Sequence, residues 1–312
     1  MTKKIKAFQA GDNHITFSSL ISQVMIGRNN KATYLTLVLQ DDSGTIDAKL
    51  WNAKPEQVES LKMGCVVEVT GDVIRYGEEL QLKIVKIDIV STDPEMQIQY
   101  LKQSPLSVEQ LQAGLQSYID QLNDEAIALI VSTLFERHMQ AFLRYPAASR
   151  NHHEYVSGLA YHTLCMLKMA EAVCGIHPSL NKDFLYGGIL LHDLGKIIEL
   201  SGPVVPEYTL EGKLLGHISI GANLVTEAAK ELGLEGESVT ILKHLVLSHH
   251  GKMEFGSPVL PQIREAEVIY MIDNLDAKIN MLDKALENVE PGHFTKRIFP
   301  LDNRSFYKPK EK

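Results

Sequence analysis

Five short stretches of this chain concentrate histidine and aspartate: NHHEYVSGLAYH, LLHDLGK, LGHIS, LSHHGK and DNLDAK. They contain His162, His192, Asp193, His217, His249, His250, Asp273 and Asp276. Divalent ions that activate water are bound by neutral imidazoles and carboxylates, and a pair of ions needs a carboxylate between them. His192 and Asp193 supply that combination in consecutive residues. The run Ile189-Leu190-Leu191 ahead of them marks a buried helix, and an ionisable pair carried into a core is costly unless it coordinates something. On a helix, Lys196 lies four residues from His192 and shares its face, which would put an ammonium where a substrate phosphate lands. Asp273 and Asp276 are three apart and can present two carboxylates to one side, either of which could close the shell. A single helical histidine is usually a core or surface residue; five such stretches in order are not explained that way.

Ligands this far apart in sequence need a rigid scaffold. From Ser107 onward the apolar period is helical: Ser107 and Gln110 form a capping box, Leu111, Leu115, Ile119 and Leu122 make one stripe, and a second helix runs from near Asn123 to before Pro146. Up to Pro291 the pattern stays helical, broken at Gly175, Gly202-Pro203, Gly233 and Gly251-Lys252. An all-α domain is therefore expected over residues 107–290.

The first ninety residues alternate apolar and polar positions at period two, the mark of strands. Strands are expected at 14–26, 33–40, 44–51, 66–75 and 79–90, with turns at Asp42-Ser43-Gly44 and Tyr76-Gly77-Glu78 and a short helix from Pro55 to Lys62. Five strands with a helix between the third and fourth are the layout of an all-β OB-fold barrel, whose usual ligands are oligonucleotides or oligosaccharides. In the third strand Ile46, Ala48 and Leu50 point one way and Thr45, Asp47, Lys49 and Trp51 the other. Trp51 thus lies off the core face. With Lys49, Tyr34 and Tyr76 it offers rings and a cation to a strand of bases, or it caps the barrel end. Arg28 and Lys31 sit in the first hairpin, where such ligands pass or where loop charges are simply solvated. Residues 91–106, with Pro94 and Pro105 and no sustained period, read as a linker. Residues 291–312 read as a basic tail that either tracks a polyanion or is disordered.

A length of 312 residues, 45% of them hydrophobic, allows one sizeable core and a second small one. The basic N-terminus lacks an apolar run behind it, and no stretch approaches the roughly 18 apolar residues of a membrane span. A cytoplasmic protein with no membrane partner is expected. Cys65, Cys165 and Cys174 form no C-x-x-C pair, which argues against a disulfide framework or a zinc ribbon. The net charge of -8 argues against coating nucleic acid by charge alone. Residues 1–90 carry 11 basic and 11 acidic side chains, so the acidic excess lies in the helical part. Gly187-Gly188 and Gly195-Lys196 lack the spacing of a P-loop, and Cys165, three residues after His162, has no oriented base to make it a nucleophile.

The order His162, His192-Asp193, Asp276, with H-D-L-G-K at its centre, resembles the signature of HD-domain metal phosphohydrolases over roughly residues 145–285. His217 and His249-His250 resemble the extra histidines of HD proteins that hold two metals. With the OB-like front, nearly the whole chain resembles the YhaM family of bacterial 3'-5' exoribonucleases. The resemblance implies His162, His192, Asp193 and Asp276 as ligands, His217, His249 and His250 as ligands of a second ion, and Asp193 and Lys196 as catalytic residues. It implies a divalent cofactor of the manganese (Mn2+) type, one or two ions. It further implies hydrolysis of single-stranded RNA from the 3' end to 5'-mononucleotides, with single-stranded DNA as a second candidate and a homo-oligomer left open. Adjacent histidines rarely both point inward on a regular helix, but Gly251 after them suggests a helix end where both can. His152, His153 and Glu154 precede the first ligand and either orient it, meet substrate or lie on the surface. Two other readings stay open: an HD phosphodiesterase acting on a nucleotide or cyclic nucleotide, and a nucleic-acid-binding adaptor with a vestigial site, which would require missing ligands.

Overall fold

The computed structural model describes residues 3–28, 32–77, 79–147, 155–204, 206–287 and 289–310. The chain divides into two compact units, Met1–Gln103 and Ser104–Lys312. Lys31, Glu78, His152, His153 and Glu154 lie outside the described residues.

In the first unit β1 (Ile15–Arg28), β2 (Thr33–Asp41), β3 (Gly44–Leu50), β4 (Val66–Tyr76) and β5 (Glu79–Ser91) close into a barrel in the order β1-β2-β3-β5-β4. Helix α1 (Pro55–Ser60) lies between β3 and β4 in the chain, completing the OB-fold layout. Period-two alternation puts Ile46, Ala48 and Leu50 inside with Leu35, Leu37, Val67, Val69 and Leu82. β1 serves two neighbours: Ile15–Leu20 pair with β4 and Leu20–Arg28 with β2, with an irregularity between Ile21 and Gln23 where the strand changes partner. A parallel contact between β3 and β5 closes the barrel, which leaves no long open edge. The β2–β3 turn is set by Asp41, whose Oδ1 accepts from the backbone N–H of Ser43 and Gly44.

The stretch expected as a linker holds a short helix, α2 (Pro94–Ile98), started by the Asp93 side chain. The Gln97 side chain donates to the carbonyls of Gly64 and Thr92, tying this turn to the barrel. Five residues are too few to display a helical period, which is why the sequence shows only its two prolines.

The second unit contains α3 (Val108–Ile119), α4 (Glu125–Phe142), α5 (Gly158–Ile176), α6 (Lys182–Leu191), α7 (Lys196–Glu199), α8 (Leu210–Glu231), α9 (Glu237–Ser248) and α10 (Arg264–Glu287). Apart from isolated bridges it holds no strand among the described residues. The Ser107/Gln110 capping box starts α3. Asp183, in the first turn of α6, accepts from the backbone N–H of Asn123 and Asp124 and so ties that turn to the chain entering α4. Helix α6 is central. A Cβ at Gly187 would stand 2.6 Å from the Ile127 side chain and one at Gly188 2.6 Å from Ile269. Only glycine lets α4 and α10 pack so closely on it. No described helix is long and apolar enough to cross a membrane.

Candidate metal centre

Helix α6 ends at Leu191, and residues 192–195 form turns before the single turn of α7. His192 and Lys196 therefore do not share the face of one continuous helix, as the spacing alone suggested. The Lys196 ammonium instead donates to Asp193 Oδ2 at 2.7 Å. The break follows from packing against α8: a Cβ on Gly195 would stand 2.1 Å from the carbonyl oxygen of His217 and 2.8 Å from the Gly221 nitrogen. Both neighbours are backbone and cannot rotate away. Gly195→Ala is expected to destabilise the second unit by roughly 3 kcal/mol and to displace His217; a thermal melt with an unchanged midpoint would refute this close contact.

Five histidines converge here, and each has its Nδ1 engaged on the outer side. Nδ1 of His192 donates to the Ile189 carbonyl at 2.6 Å, that of His249 to Val246 at 2.7 Å and that of His250 to Phe255 at 2.7 Å. A carbonyl oxygen only accepts, so these three rings carry their proton on Nδ1 and turn the lone pair of Nε2 inward. His217 Nδ1 lies 3.1 Å from Glu199 Oε1, and the same oxygen accepts from the His217 backbone N–H at 3.0 Å. That N–H is available because Gly216, at φ 71°, breaks the helical path of α8 just before it. His162, fully buried in α5, has Nδ1 2.6 Å from Asp276 Oδ2.

Asp193 stands in the middle. Its Oδ2 is 3.3 Å from His192 Nε2, and its Oδ1 is 3.4 Å from His217 Nε2 and 3.7 Å from His249 Nε2. Two sets of donors, His162/His192/Asp193 and His217/His249/His250, each have their ligating atoms within 4.8 Å of one another. Asp273 Oδ1 lies 3.2 Å from His162 Nε2. Asp276, read from the sequence as a ligand, is on the opposite edge of that ring, with its Oδ2 2.6 Å from Nδ1. Three residues of helix put the two carboxylates on one side of α10 but a turn apart, and one imidazole fits between them.

The charge states of Asp193, Asp273, His249 and His250 suit a cation site. Burial would raise the Asp193 carboxyl, but the Lys196 ammonium and His192 outweigh it and hold the group well below the usual carboxylate range. Asp273 is lowered in the same way, with His162 overcoming burial. Burial would lower Lys196, and Asp193 overcomes it, so the ammonium stays charged. Burial, reinforced by His250 and His192, pushes His249 well down and keeps it neutral; His250 is lowered chiefly by burial. Burial also opposes charge on His162, yet its two flanking carboxylates push it up to about 9.

On the barrel, Trp51 is 47% exposed and its ring lies 5.0 Å from that of Tyr34. The Lys49 ammonium sits 5.0 Å from the Tyr34 ring centre and donates to Thr36. Tyr34 pairs with Gly27 across β1 and β2, and a Cβ on Gly27 would overlap its ring; the glycine is the seat of the aromatic. Arg28 is exposed at the end of β1 beside this group. Tyr76, at the far end of β4, is 75% exposed and makes no ring contact with Trp51 among the described residues.

Residues 159–278 match the HD domain family, and residues 20–90 match an OB-fold nucleic acid binding domain. A protein of Halalkalibacterium halodurans named 3'-5' exoribonuclease YhaM is 46% identical over 310 residues, 99% of this chain and 97% of its own. One of the same name from a Geobacillus species is 47% identical over 311 residues, 99% of this chain and 96% of its own. The chain belongs to the YhaM family of 3'-5' exoribonucleases.

An HD domain is a divalent-metal domain, and the donor set of this YhaM-family chain fits one. Nε2 of His192, His217 and His249 and Oδ1 of Asp193 are all buried without a hydrogen-bond partner. Orphaned polar atoms converging in a core are costly, and bound divalent cations are partners of the kind they lack. Glu199 is the member that the sequence reading missed. It is 8% exposed and follows Lys196 by three residues, and a carboxylate this close behind H-D-L-G-K was the available signal. Burial would raise it, but His217 outweighs that and holds it ionised.

Proposed function

We propose that this chain is a divalent-metal-dependent 3'-5' exoribonuclease that shortens single-stranded RNA from its 3' end, releases 5'-mononucleotides and works with manganese. The observation that carries the reading is the convergence of orphaned Nε2 atoms on Asp193, in a chain similar along nearly its whole length to proteins named as such exoribonucleases. His162, His192, Asp193 and Asp273 would hold one ion, and His217, His249 and His250 a second that shares Asp193. Ions so held polarise a phosphodiester and supply a water activated at neutral pH.

The protein's own groups do the positioning. The three backbone carbonyls fix the tautomers of His192, His249 and His250, while Glu199 orients His217 and Asp276 orients His162. Lys196, held charged by Asp193, supplies a fixed positive charge for a phosphoryl group whose negative charge rises in the transition state. On the barrel, Trp51 and Tyr34 stack bases upstream of the cleaved end while Lys49 and Arg28 meet phosphates. A polymer substrate is favoured over a cyclic nucleotide because the OB-fold unit has no task with a small ligand, and the presence of every expected donor residue speaks for an enzyme over an adaptor with a vestigial site.

The test is product analysis on end-labelled single-stranded RNA and DNA with Mn2+, Mg2+ or chelator. Mononucleotides released from a 3' label under Mn2+, and nothing under chelator, are expected. Internal fragments, or turnover of cyclic nucleotides without cleavage of RNA, would overturn the reading.

A further inference from the structure

After α10 the chain does not trail into solvent. Gly292 N–H donates to the Lys308 carbonyl, Lys308 N–H to His293, Thr295 N–H to Phe306 and Ile298 N–H to Arg304. These bonds make a two-stranded strap over residues 292–308, closed by the 3-10 turn Phe299–Leu301 and by Asp302 and Asn303, both at φ 56°. Thr295 and Leu301 are buried, and the Lys308 ammonium donates to the Leu286 carbonyl at the end of α10. The strap is a built element with an inner and an outer side.

Its outer side has an unusual composition for this chain. Alternation about the buried Thr295 turns Phe294 and Lys296 outward together. Tyr307, bridged to Phe294, lies against it with ring centres 5.1 Å apart. Phe294 is 64% exposed and Tyr307 45%, and Phe299 at the tip is 86% exposed. The strap carries Lys296, Arg297, Arg304, Lys308 and Lys310 against the single acid Asp302, which pairs with Arg304 at 3.3 Å, in a chain whose net charge is -8. The Arg304 guanidinium lies 5.1 Å from the Phe306 ring centre. Exposed rings among cations, with acids nearly absent, suit a flexible polyanion carrying flat apolar groups: bases stack on the rings and phosphates meet the ammonium and guanidinium groups. A protein partner would favour a dry apolar seam, and the cations interrupt one here.

We propose that this strap is a second binding surface for single-stranded RNA, separate from the OB barrel, with the Phe294–Tyr307 pair as stacking platform and Lys296 and Arg297 as phosphate contacts. The proposal rests on RNA being the polymer this chain handles. Two full-length variants test it independently, Phe294→Ser/Tyr307→Ser and Lys296→Glu/Arg297→Glu. Binding is read with a labelled single-stranded RNA of about 20 nucleotides, in chelator so that nothing is cleaved. Each variant is expected to bind about tenfold more weakly, and the charge variant to show a salt dependence shallower by about 1.4 in log-log slope. Hydrolysis of bis-p-nitrophenyl phosphate with Mn2+ should stay at the wild-type rate. Loss of that hydrolysis in the wild type would count against the metal centre alone, since the binding comparison needs no chemistry. Unchanged affinity and slope in both variants would overturn the strap's role. So would a smaller particle by light scattering in the ring variant with RNA affinity intact, which would make the rings a seam between copies of the chain.

Discussion

Asp193→Asn is expected to lower RNA hydrolysis by at least about a thousandfold while the chain stays folded and still binds RNA. Asp193 has an oxygen toward each set of histidines, Oδ2 toward His192 and Oδ1 toward His217 and His249. On the proposed assignment, removing its charge would disturb both donor sets at once, and an amide would be a poor substitute for an anion there. The choice of asparagine matters. Lys196 is 8% exposed and donates to Asp193 Oδ2, so alanine would leave a buried ammonium without its acceptor. That penalty is about 3–5 kcal/mol, or a melting point lower by about 10 °C. Asparagine keeps an acceptor, and the negative charges of Asp273 and Glu199 still favour the ammonium. Activity, melting temperature and RNA binding in chelator are to be measured on both variants. An asparagine variant that degrades RNA at the wild-type rate would remove Asp193 from the centre, and one that is inactive but also unfolded would be replaced by Asp193→Ser under the same criteria.

The difference between those two substitutions marks how far the sequence can be read. The reading of Asp193 as part of a metal site rests on its neighbours His192 and Ile189-Leu190-Leu191, because burial of an ionisable pair needs a reason, and the structure does bury Asp193. That Lys196 is its partner did not follow, because helical spacing was extended through residues 192–195, where the backbone turns to let Gly195 touch α8. A contact between distant backbones has no signature in local periodicity. The barrel was legible for the opposite reason: strand alternation and turn residues are local, and β1 to β5 start and end within a few residues of their expected places. His249 and His250 lie between these cases. Gly251, at φ 72°, permits the helix end that lets both rings turn to one site, and its closeness to the Tyr270 ring could not be foreseen. The strap was hidden because its hydrogen bonds join residues on either side of a turn in a segment whose charge reads as solvated.

The same limit decides the pair on α10, and here the structure predicts opposite roles for two aspartates that the sequence could not separate. Asp273→Asn is expected to weaken Mn2+ binding by at least about a hundredfold and to reduce hydrolysis with it, because its Oδ1 faces Nε2 of His162 on the donor side. Asp276→Asn is expected to be milder, with metal affinity falling about tenfold. An asparagine carbonyl can still accept from Nδ1 and hold the ring, losing only the added basicity that a carboxylate lends the imidazole. Asp276→Ala should be worse than Asp276→Asn, since it removes the acceptor at Nδ1, whereas at position 273 alanine and asparagine should be equally poor. The four variants are compared by calorimetric titration with Mn2+ in the absence of RNA, which separates loss of the ion from loss of chemistry. If Asp276→Asn abolishes metal binding and Asp273→Asn leaves it near wild type, the assignment is reversed and Asp276 is the ligand.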